Sequence, residues 1–74
     1  MPELPRISGL KAVQVLERMG FVRARQRGSH VVLRRGGVGC VVHLHKSLAI
    51  GTLRSVIRQA GITANEFIDA HEGK

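Results

Sequence analysis

The apolar positions of this chain change period twice. Leu10, Val13, Leu16 and Met19 recur every three residues, with Ala12 and Val15 beside them. That spacing predicts a helix with one buried stripe, and Ser8 stands where a capping residue belongs. Gly20 suits the left-handed turn that ends a helix, with Phe21 folding back onto the last turn. Period two follows. Val22, Ala24 and Gln26 alternate with Arg23, Arg25 and Arg27, which predicts a strand with one apolar and one basic face. Gly28-Ser29 is a turn signal. His30 to Arg35 predicts a second strand, with Val31 and Leu33 on one side and His30, Val32 and Arg34 on the other. Gly36-Gly37-Val38-Gly39 reads as a hairpin loop. Cys40 to His45 is then a third strand, with Cys40, Val42 and Leu44 facing one way and Val41, His43 and His45 the other. Helical spacing returns at Ile50, Leu53, Ile57 and Ala60, with Val56 alongside and Gly61 as the stop signal. Thr63-Ala64-Asn65-Glu66 fits a capping box, Ile62 and Phe67 fit its hydrophobic staple, and the last helix runs to about Ala70.

The predicted order is α-β-β-β-α-α, an α+β fold. A three-stranded antiparallel meander with helices before and after it buries one sheet face under the helices and leaves the other open. This layout resembles the double-stranded RNA-binding domain. A chain of 74 residues makes a single domain, 1–74. It buries roughly 60% of its unfolded surface, too little to enclose a deep cavity, so any active site lies on an open surface.

Charge changes the picture most. Twelve Lys and Arg against five Asp and Glu give a net charge of +7. The stretch between Glu17 and Glu66 has no acidic residue, yet it holds Arg18, Arg23, Arg25, Arg27, Arg34, Arg35, Lys46, Arg54 and Arg58. Such a block attracts polyanions, and the planar fork of Arg suits phosphate oxygens, so nucleic acid is the expected partner. Phe21 and Phe67 are the only aromatic residues among Phe, Trp and Tyr, which excludes a stacking platform for bases. The apolar runs are too short to span a membrane, and Met1 to Leu10 lacks the apolar stretch of a signal peptide. A cytoplasmic location without membrane association is therefore expected. Cys40 is the one cysteine, which leaves no internal disulfide and no Cys-rich zinc motif. A small buried strand residue is its expected role.

Hairpin register sharpens the chemistry. With a loop of Gly36 to Gly39, Arg35 pairs with Cys40, Arg34 faces Val41, Val32 faces His43, and His30 faces His45. Opposed residues have Cβ atoms about 4.5–5.5 Å apart. Two imidazoles at that separation, ringed by arginines, suit proton transfer near neutral pH while the arginines hold a phosphate. RNA carries its own nucleophile, the 2′-hydroxyl, and needs no metal to be cut. His30, His43 and His45 together also form a conceivable zinc set, but no carboxylate stands near them in the chain to assist; no metal or cofactor is expected. His71 falls in an acidic C-terminal tail and is expected to be solvent-exposed.

Gly28-Ser29-His30, then His45, then Gly51-Thr52-Leu53 opening a helix that closes with Gln59-Ala60-Gly61, resembles the HicA-type mRNA interferase toxins over about Ile7 to Ile68. The resemblance implies a double-stranded RNA-binding-like fold, endoribonuclease activity on mRNA, and a HicB-type antitoxin that covers the active site. It implies that His30, the histidine of Gly-Ser-His, is catalytic, with His45 matching the second family histidine. Two residues before that second histidine the family usually has Pro, where this chain has His43. The expected RNA-binding set is Arg23, Arg25, Arg27, Ser29, Arg34 and Lys46. Two other functions fit the same residues: a module that grips double-stranded RNA without cutting it, and a subunit that only binds its partner protein.

Overall fold

The computed structural model describes residues 3–73, so positions 1, 2 and 74 of the single domain expected over 1–74 lie outside the described residues. Its elements are α1 (Gly9–Arg18), β1 (Val22–Arg27), β2 (His30–Arg35), β3 (Val38–His43), α2 (Ile50–Ala60) and α3 (Ala64–Glu72). The order is the predicted one. The strands form one antiparallel sheet in the order β1-β2-β3.

Local capping patterns set the helix boundaries, with one difference at the end of α3. The Ser8 side chain accepts from the Lys11 backbone N–H at 3.0 Å and caps α1. At the other end Phe21 N–H donates to Leu16 C=O at 3.0 Å and Gly20 N–H to Glu17 C=O at 3.1 Å, the paired bonds of a Schellman stop. Thr63 and Glu66 form the reciprocal capping box of α3, with bonds of 2.8 and 3.0 Å. That helix runs two residues past the expected Ala70, to Glu72. His71 therefore stands on a helix rather than in an exposed tail, and its Nδ1 is buried without a hydrogen-bond partner.

The core lies between the helices and one face of the sheet. Val31, Leu33, Cys40 and Val42 form its floor; Ala12, Val13, Val15 and Leu16 of α1, Leu53, Val56, Ile57 and Ala60 of α2, and Phe67 of α3 close it from above. Leu44 packs against its margin. Leu10, expected in the buried stripe of α1, is 48% exposed; its place against the core is taken by Gly9, where α1 approaches the sheet backbone too closely for a side chain.

Two registers differ from the alternation in the sequence. The β2–β3 hairpin turns on Gly36-Gly37 alone, not on four residues, so Arg35 pairs with Val38 and His30 with His43 rather than His45. Two-residue loops match the twist of the flanking strands, and Gly36 supplies the positive φ (61°) that the first central position of a type II′ turn needs. The slip amounts to two residues, so every side chain stays on its expected face. Between β1 and β2 the register shifts between Arg23 and Arg25, a bulge at Ala24. Before the bulge the alternation of β1 is inverted: Val22, expected on the apolar face, pairs with Arg34 on the open side, and Arg23 pairs with Leu33 on the helix side instead of joining Arg25 and Arg27.

Candidate functional site

The open face of the sheet is a grid of three rows. Arg27, His30 and His43 form one row across β1, β2 and β3; Arg25, Val32 and Val41 the next; Val22, Arg34 and Gly39 the third. Paired residues share a face, so histidines and arginines occupy one surface with no carboxylate among them. Arg34 runs beside Gly39, whose missing side chain leaves room: a Cβ there would stand 3.6 Å from Arg34 Cγ.

Three imidazoles meet at the His30 end. The His30 and His43 rings are stacked, with centroids 4.2 Å apart and planes 21° from parallel. The His45 ring also touches His43, edge-on at 5.5 Å and 84°. His45 lies past the end of β3, but the ladder is carried on by Leu44 N–H, which donates to Ser29 C=O at 2.7 Å. The Gly28-Ser29-His30 turn is thereby brought level with the segment 43–45. Lys46 follows in an exposed bend. The structure thus brings His30 and His45 into one cluster through His43, rather than directly face to face as expected from the four-residue loop. Among the described residues, no group of three or more His, Cys, Asp or Glu side chains is arranged to hold a metal ion.

The backbone beneath the cluster is clamped from below. Gly9 N–H donates to His45 C=O at 2.8 Å, and Leu48 N–H to Ile7 C=O at 2.8 Å. A Cβ on Gly9 would run into the His43 carbonyl oxygen and stand 2.8 Å from Leu44 Cα. The start of α1 therefore fixes the segment that carries His43 and His45. Nothing in the hydropathy pattern marks Gly9 for this role.

Not every basic residue faces the site. Arg23 is ion-paired with Glu17 of α1 at 3.1 Å. Arg35 lies over the Phe21 ring at 4.7 Å and donates to Met19 C=O at 2.9 Å, so it braces the end of α1. Arg18 donates to Ala70 C=O at 3.2 Å and ties α1 to α3. At the outer edge of β3, Gln59 of α2 accepts from the Val41 backbone N–H at 3.1 Å and satisfies a donor that would otherwise face a strand-pairing partner. Cys40 is buried on the opposite face of the sheet, and burial pushes its thiol up, which keeps it protonated and inert.

No curated protein matches the chain. A family model described as the HicA toxin of bacterial toxin-antitoxin systems matches residues 10–62, which include the whole sheet, α2 and all three clustered histidines. The match covers most of the 74 residues, and the chain belongs to the HicA toxin family, as the toxin of a toxin–antitoxin system with an antitoxin for a partner.

Proposed function

We propose that this toxin is an endoribonuclease, an mRNA interferase that cuts RNA without a metal on its open, basic sheet face. The observation that carries the reading is the convergence of His30, His43 and His45 on the face that also presents Arg25, Arg27 and Arg34. A phosphodiester needs a cation to bind it and proton transfer on either side of it; this face offers both.

In the proposed reaction one histidine accepts the proton of the ribose 2′-hydroxyl. The 2′-oxygen attacks the adjacent phosphorus, the bond from phosphorus to the 5′-oxygen breaks, and a second histidine returns a proton to that oxygen. The products are a 2′,3′-cyclic phosphate and a free 5′-hydroxyl. His30 takes one of these roles and His45 is its partner. Arg25, Arg27, Arg34 and Lys46 hold phosphates, and Ser29 adds a hydroxyl beside His30. Arg23, turned to the helix side and paired with Glu17, contributes to the field rather than to contact. A HicB-type antitoxin neutralises the toxin by covering this face.

The test is the chemistry of the cut ends. RNA cleaved by the wild-type protein is expected to carry 2′,3′-cyclic phosphate, and a substrate with 2′-O-methyl at the cleavage position is expected to stay intact. Cleavage of the 2′-O-methyl substrate would assign the attack to water and overturn the mechanism. RNA retarded on a gel but never cut would make the protein a binding module of the double-stranded RNA type.

A further inference from the structure

Resting on that reading of the site, we propose that His43 is a positioning residue: its ring braces the His30 imidazole and sets the spacing between His30 and His45. Three observations carry this. The His30 and His43 rings are in direct contact, 4.2 Å between centroids and nearly parallel, so no phosphate group fits between them. While the rings are stacked, His43 cannot act across a phosphate from His30. His45 touches the same ring edge-on at 5.5 Å, so the His43 ring contacts both of the other imidazoles.

The third observation is that His43 is itself held. It is half-buried, it ends β3 directly opposite His30, and its backbone is pinned on the far side by Gly9, which leaves no room for the strand end to drop toward α1. His30, by contrast, is exposed beside a two-residue turn. An exposed imidazole has several rotamers open to it; a rigid ring beside it removes most of them, and orientation is worth a large factor in proton transfer. The bracing depends on a flat ring at position 43 and not on its nitrogens.

That last point makes the proposal separable from a proton-transfer role. The experiment compares His43→Ala, His43→Gln and His43→Phe in two readouts: RNA cleavage kinetics, and the histidine Cε1 proton resonances in NMR, with His30 assigned from its loss in His30→Ala. The chain has four histidines, so the spectrum is simple. His43→Ala and His43→Gln are expected to lower kcat about 10- to 100-fold with KM little changed, because binding by the arginines persists while orientation is lost. His43→Phe keeps a ring and is expected to recover most of kcat. In parallel, the His30 resonance is expected to hold its ring-shifted position in His43→Phe and to leave it in the other two. A His43→Phe protein as slow as His43→Ala would make His43 a proton-transfer group and overturn the proposal, as would full activity in His43→Gln. If the wild-type protein cuts no RNA, the cleavage reading fails on its own. The NMR series still decides the bracing, which is refuted by a His30 resonance that does not move in His43→Ala.

Discussion

At the scale of single residues, Gly9 and Cys40 show how much depends on atoms far from the chemistry. Gly9 sits in the first turn of α1, where Ala would ordinarily be better by about 1 kcal/mol. Here the added methyl would collide with the His43 carbonyl, which is backbone and has no rotamer to yield. Gly9→Ala is therefore expected to destabilise the fold by about 1–3 kcal/mol, read from urea unfolding, and to slow RNA cleavage as the histidine segment shifts. Equal or greater stability in that variant would show that the clamp under His43 is not tight. Cys40 gives a complementary check. Burial pushes its thiol up and keeps it protonated, so iodoacetamide should label it only as fast as the chain opens. Rapid labelling of the native protein at neutral pH would contradict its burial.

At the scale of elements, the docking of α3 rests on Phe67 in the core and on the capping box that starts the helix. The hydrogen bond from the Thr63 backbone N–H, then that involving the Thr63 side chain, holds the Glu66 carboxyl below its usual range, with Arg35 adding a smaller pull. A carboxylate whose folded pKa is depressed contributes stability above its unfolded pKa and loses it as pH falls through the folded value. Wild-type protein should therefore lose stability relative to Glu66→Gln, which keeps the box geometry, as pH drops below about 4. Melting curves of the two proteins across that range check the sign; a difference that stays constant with pH would contradict it. This capping box was legible in four consecutive residues, and the stops of α1 and α2 were legible in Gly20 and Gly61, because each is a local pattern with a local mechanism. The sheet faces were legible too, since Val31, Leu33, Val42 and Leu44 keep period two. The pairing of His30 was not. Gly36, Gly37 and Gly39 permit a loop of two or of four residues, and the two registers put the same side chains on the same faces, so hydropathy cannot choose between them. The bulge at Ala24 was hidden for a different reason: β1 is exposed along its whole length, so no burial requirement records which face each arginine takes.

At the scale of the whole molecule, the fold sorts its charges. Helices and core occupy one side of the sheet, the acidic residues lie outside the stretch from Arg18 to Asn65, and Arg25, Arg27 and Arg34 are left on the open side. No helix among the described residues is long and apolar enough to cross a membrane. With roughly five phosphate contacts, RNA affinity should fall about a hundredfold between 50 and 200 mM salt. Replacing Arg25 or Arg34 by Ala should weaken all RNA sequences alike and flatten that dependence by about one contact. An affinity indifferent to salt would refute the electrostatic part of the account. Whether the histidine of Gly28-Ser29-His30 cuts RNA without a metal is decided by the rate of RNA cleavage in EDTA by the wild-type protein and by His30→Ala. Cleavage by the wild type is expected to be undiminished by EDTA, with a loss of about 100- to 10,000-fold in His30→Ala. Cleavage abolished by EDTA, or equal in the two proteins, would contradict metal-free cutting by His30.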